Sequence, residues 1–197
     1  MPDHPRVTFL EVDWPAQDPG PHNADSGRKK HAISEFALAR GGGLLMLVDA
    51  DDWVDVRLVE AARTMIGHGQ IDALIERGVI ADFQTLRVAT LPHPHVFEGA
   101  FHRICGSSSV ARLRPDATEP LHRDPCHALR SHHEWVERAQ EHGAELVRLP
   151  VSGGYLINTS EHHSEVHGPY AAWRRELAAC VNREGHTIDG AIAARFG

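Results

Sequence analysis

The chain has 197 residues, enough for one domain with a sizeable core and too few for two packed ones. Its formal charge of −7, from 20 basic and 27 acidic residues, argues against a general nucleic-acid binder and leaves no polybasic patch for a membrane surface. Cys105, Cys126 and Cys180 are odd in number and lack zinc-site spacing, so a reduced cytoplasmic setting is the expectation, with no secretory signal and no apolar run approaching the ~20 residues of a membrane span.

In chain order, residues 7–13 (VTFLEVD) alternate and are rich in β-branched side chains, which predicts a strand leading into a Pro/Gly/Asp loop over 15–25. A helix follows over 27–39, with Ile33, Phe36 and Ala37 on its apolar face and Gly41, Gly42 and Gly43 stopping it. Residues 44–48 are continuously apolar and run into Asp49, Asp51 and Asp52. That pattern predicts a strand buried on both faces, central in one mixed sheet, with acids at the carboxyl end where open α/β sheets bind ligands. Asp55 caps a short helix through residue 64, with Val56, Val59 and Ala62 inward. The first 66 residues therefore alternate β-α-β-α.

Short strands over 71–75, 79–81 and 86–91, with a turn at Gly78, read as a sheet edge or ribbon. Residues 105–109 (CGSSS) form a small-residue turn before a strand over 110–113. A helix over 129–142 ends at Gly143, strands follow over 145–149 and 155–157, and Pro169 opens a last helix through residue 182. Residues 185–197 are left as a tail.

The acids carry the most chemistry. Asp49 and Asp51 form an Asp-x-Asp pair, whose hard oxygens suit Mg²⁺ or Mn²⁺ holding the phosphates of a substrate. Arg28 and Lys29, at a helix start, join side-chain charge to free backbone N–H groups and suit a phosphate. Most of the sixteen histidines belong to the surface, but those at 162, 163 and 167 and at 132 and 133 stand beside other chemical groups. Glu134 is the first choice for a general base and His132 the second, since either can take a proton from a hydroxyl near neutral pH. Gly106, Ser107 and Ser108 leave room for a ligand to approach the backbone closely.

Four segments together resemble the GT-A fold of nucleotide-sugar glycosyltransferases, in particular bacterial family 2-like members. They are Asp25-Ser26-Gly27-Arg28-Lys29 followed by LVDADDW, then FHRICGSS at 101–108, then SHHEW at 131–135 with the later LVRLP, and last YLIN with EHHS at 155–164. The resemblance spans residues 6–170. It implies a single α/β domain, a Rossmann-like mixed sheet flanked by helices, shortened at its N-terminus because the chain enters at the strand after the family's first nucleobase-binding βα unit. Residues 6–66 would form the donor and metal half and 67–184 the acceptor half. It further implies Mn²⁺ or Mg²⁺ on Asp51 and Asp49, completed by His163 with His167 as substitute, and a nucleoside-diphosphate sugar steadied by Asp49, Asp52, Arg28 and Lys29. The acceptor, of unidentified class, would lie against Gly106, Ser107 and Ser108, with Glu134 or His132 as base.

Two other classes fit the residues. One is a metal-dependent hydrolase using Asp49, Asp51 and the histidines of 161–167; the other is a binding protein that keeps the sheet without turnover. A haloacid-dehalogenase-type phosphatase is disfavoured by Trp53, where a small residue is required, an EF-hand by Val54 in place of its glycine, and a zinc protease by the lack of an HExxH string.

Overall fold

The computed structural model describes residues 6–15, 24–66, 72–160, 165 and 169–197. Its elements begin with α1 (Ala24–Ala39), β1 (Gly43–Met46), β2 (Trp53–Val54), α2 (Leu58–Met65), β3 (Asp72–Leu74), β4 (Arg77–Asp82) and β5 (Arg87–Leu91). A 3₁₀ turn (Phe101–Arg103) leads to β6 (Ser109–Leu113), α3 (Pro120–Arg123), α4 (Pro125–Leu129) and α5 (Trp135–Glu141). The chain continues through β7 (Val147–Arg148), β8 (Ser152–Ile157), α6 (Ala171–Glu184), β9 (His186–Thr187) and α7 (Gly190–Phe196). The fold is mixed α/β, but it holds two mixed sheets instead of the one expected, ordered β1-β6-β3-β7 and β2-β8-β4-β5-β9.

Alternation along the strands explains the layers. In β3, Leu74 faces a cluster with Leu121, Leu129, Trp135 and Ala139 of α3–α5, while Ala73 turns to the opposite side and joins the main core. That main core lies between the sheets and takes Leu58 and Ala62 of α2, Ile80, Ala89, Tyr155, and Leu177 and Val181 of α6. On the outer face of the second sheet, Val79, Ala81 and Val88 pack on Ile192 of α7. The segment expected to be a tail thus closes a third layer, with Asp189 capping α7 through the N–H groups of Ala191 and Ile192.

The strand buried on both faces is therefore β4, which pairs parallel with β8 and antiparallel with β5. The apolar run at 44–48 gives instead an edge strand, β1, paired only with β6 among the described residues, with Leu44 36% and Val48 46% exposed. Gly78 is not a turn residue; it lies inside β4, where a side chain would overlap the Phe101 ring. Residues 7–13 form no strand, and Val7, Phe9, Leu10 and Val12 are exposed, with no neighbouring strand to pair the alternating pattern. In the α2 region Leu58 and Ala62 point inward, whereas Val56 and Val59 are exposed. The helix expected over 129–142 is broken by Arg130, whose φ of 57° ends α4 before α5 begins. No helix of the described residues is long and apolar enough to cross a membrane.

Two glycines make the central seam possible. Phe101, fully buried, seats its ring against Gly78 of β4 and Gly153 of β8, at positions where any Cβ would collide with it. Overpacking such a seam costs ~1–3 kcal/mol or more. Gly153→Ala should lower the urea midpoint accordingly. Gly190→Ala, where a Cβ meets nothing within 4 Å, should leave the midpoint nearly unchanged.

Asp72 of β3 is wholly buried; one oxygen accepts the Arg112 N–H at 3.1 Å and the other has no partner among the described residues. Burial pushes its carboxyl up to about 7, the single hydrogen bond offsetting only part of that. The native state thus keeps a proton that the unfolded chain releases near the ordinary carboxylate value, so this group's contribution to stability falls as pH rises towards 7 and then levels off. Asp72→Asn removes the titration. Its stability relative to wild type, followed by chemical denaturation, should improve between about pH 4 and pH 8 by on the order of 4 kcal/mol.

Candidate functional site

Strand register builds the site. β1 and β6 are antiparallel with Met46 opposite Val110, and continuing that register by three residues on each side brings Asp49 opposite Ser107. The Asp49 N–H donates to Ser107 Oγ at 2.8 Å. The Asp52 N–H then donates to the Asp49 carbonyl at 3.1 Å, closing a turn, and Trp53 enters β2. The acid turn is therefore where the chain crosses from the edge of one sheet to the edge of the other.

The 105–108 loop grips that turn. Cys105 donates its thiol to Asp52 Oδ2 at 3.3 Å, while Asp52 Oδ1 is buried without a hydrogen-bond partner among the described residues. Burial pushes the Asp52 carboxyl up to about 6; Ser107 and Cys105 hold it down, and the charges of Asp49 and Asp51 add to the rise. Burial, reinforced by Asp52, also raises Cys105 well above a normal thiol, so it acts as a hydrogen-bond donor and not as a nucleophile. Ser108 Oγ donates to the Cys105 carbonyl at 2.5 Å. Both serine hydroxyls are thus engaged in shaping the loop, and Gly106 lies beside the His132 ring.

His132 reaches this place because Arg130 breaks the helix and lets 131–134 turn. Its Nδ1 lies 2.9 Å from the His102 carbonyl, an atom that can only accept, so Nδ1 carries the proton and Nε2 keeps its lone pair. Burial lowers the ring to about 4, and neighbouring His133, Lys30 and Arg174 lower it further against the His102 hydrogen bond. The imidazole is neutral at pH 7. Glu134 stands outside this pocket, half-exposed, with Arg138 at 3.8 Å.

Arg174 of α6 is the residue that sequence reasoning missed. Its guanidinium lies 4.9 Å from the Tyr155 ring centroid and 5.4 Å from that of Trp173. Burial lowers it to about 10, while Asp52, Cys105 and Asp51 pull the other way. Its Nε and Nη1 are buried and have no hydrogen-bond partner among the described residues. A signal was present: residues 174, 177 and 181 share one helix face, and Leu177 and Val181 are core residues.

Arg28 and Lys29 fall in the second turn of α1, because the helix begins at Ala24, so the free N–H groups belong to earlier residues. Arg28 stacks over Trp14 at 4.6 Å in a separate cleft of about 730 Å³. His163 and His167 lie outside the described residues. Among the described residues no three His, Cys, Asp or Glu side chains gather to hold a metal. Asp49 and Asp51 do offer two hard carboxylates, the donor set of a Mg²⁺ or Mn²⁺ that takes its other ligands from phosphates and water. Comparison with known protein families, curated proteins and solved structures finds no match to the chain.

Ser107→Ala removes the acceptor for the Asp49 N–H. It should cost about 1 kcal/mol in the denaturation midpoint, and amide exchange at Asp49 should quicken.

Proposed function

We propose that the protein is a glycosyltransferase of the GT-A type, moving a sugar from a nucleoside-diphosphate sugar to an acceptor with the help of Mn²⁺ or Mg²⁺. The observation that supports this best is the convergence of the Asp49–Asp52 turn, the Cys105–Ser108 loop and His132, segments far apart in sequence, around one half-satisfied carboxylate. When bound, the metal would neutralise charge growing on the leaving diphosphate. Asp49 and Asp51 would hold it, and Asp52, fixed by Cys105, would orient the donor. His132, its Nδ1 proton committed to the His102 carbonyl, would accept the acceptor's hydroxyl proton at Nε2, with Glu134 as the rim alternative. A reducing, cytoplasmic setting suits a site that uses Cys105 as a free thiol.

One observation favours a second reading, binding without turnover. A ring lowered to about 4 is a weak base, and Glu134 stands outside the pocket with Arg138 at 3.8 Å.

The two readings separate in one set of measurements. Calorimetric titration with UDP should give affinity at least about tenfold higher with Mn²⁺ than without, and Asp51→Asn should erase the difference. His132→Gln should keep that binding and lower kcat in a transfer assay, whereas Glu134→Gln should change neither. Metal-independent or absent nucleotide binding rejects the transferase; metal-dependent binding with no transfer to any acceptor supports the second reading.

A further inference from the structure

Beside the acid turn, on the His132 side, opens a cavity of about 610 Å³. Phe97, Tyr170 and Trp173 line it, and Trp173 is 38% exposed. Aromatic faces of this kind stack against the C–H face of a sugar ring. Among the described residues the charged groups on the wall are Arg103 and Arg174, with His132 and His133 beside them and no carboxylate. Arg103 is satisfied, since it donates to Glu137 at 2.6 Å and to the His133 carbonyl at 3.2 Å. Arg174 is not: two of its nitrogens are buried with no acceptor among the described residues, while Asp51 and Asp52 act on it through their charge. A desolvated guanidinium with unused donors is costly unless an anion completes it.

We propose that this cavity binds an anionic pyranoside, a sugar bearing a carboxylate or phosphate, with Arg174 holding the acid group and Trp173 flanking the ring. Its position beside His132 makes that sugar the acceptor, an assignment that rests on the transferase reading. The binding itself does not.

The probe is sodium glucuronate against glucose at matched ionic strength, followed on ¹⁵N-labelled protein. The four tryptophans give four indole signals, and Trp173→Phe identifies the one that matters. That signal should shift saturably with glucuronate, with affinity at least about tenfold better than for glucose. Arg174→Met should weaken glucuronate by about tenfold or more while the other three indoles stay in place. UDP with Mn²⁺ should leave glucuronate bound. Equal response to the two sugars, or an unchanged affinity in Arg174→Met, overturns the acidic site; displacement of glucuronate by UDP with Mn²⁺ assigns the cavity to the donor and overturns the acceptor role. Failure of the wild type to bind nucleotide counts against the transferase alone, and failure to discriminate the sugars counts against the acidic ligand alone.

Discussion

The seat of Phe101 on Gly78 and Gly153 governs the rest of the structure. Its ring occupies the space that two side chains of the parallel β4–β8 pair would fill, and its N–H donates to the Glu76 carbonyl at 2.9 Å. The Phe101 carbonyl in turn accepts the N–H of Cys105 at 3.1 Å. Cys105 carries the thiol that fixes Asp52, so a contact inside the main core sets the position of an acid at its border. Strand glycines ordinarily weaken a sheet. Here they convert a seam between strands into a socket, and the loop that shapes the site hangs from it.

The buried aspartates show how the same side chain serves opposite ends. Asp82 is enclosed by the N–H groups of Gln84 and Thr85 and by the amides of Asn158 and Asn182, which cement β4 to the ends of β8 and α6. Asp55 is buried too, yet Arg57 at 2.9 Å and the Ser152 N–H outweigh the desolvation and hold it below the usual carboxylate range. Asp52 has a single thiol and a nearby hydroxyl, and one oxygen with nothing. Asp82 and Asp55 are fully satisfied and build the fold, Asp72 deep in β3 carries its deficit as a retained proton, and Asp52 carries its deficit at the border of the core, where a ligand has something to supply.

Much of the element order was legible in the sequence, because it depends on local signals. The glycines at 41–43 stop α1 as their positive φ values require, and the small residues at 105–108 turn into β6. The junction of 44–48 with its acids was also legible. What failed was the sheet order. A run such as Leu44 to Val48 can serve a central strand or an edge covered on one side by a helix, and the choice rests on β4 and β8, whose pairing joins residues 75 positions apart. Nor did composition mark Arg130: a non-glycine at positive φ leaves no trace in the periodicity of 129–142, yet it decides that His132 and not Glu134 faces the pocket. Arg174 was hidden for a simpler reason, since an arginine on a buried helix stripe looks like an ordinary surface residue until its neighbours are known.

The crossing of the chain at Asp49 to Asp52 also has a mechanical side. β1 belongs to one sheet and β2 to the other, and between them stand six residues tethered chiefly by Ser107 and Cys105. A cation gathered by these acids would act as a rivet across the two sheets, so that part of its binding free energy would be felt throughout the protein as resistance to pulling the layers apart.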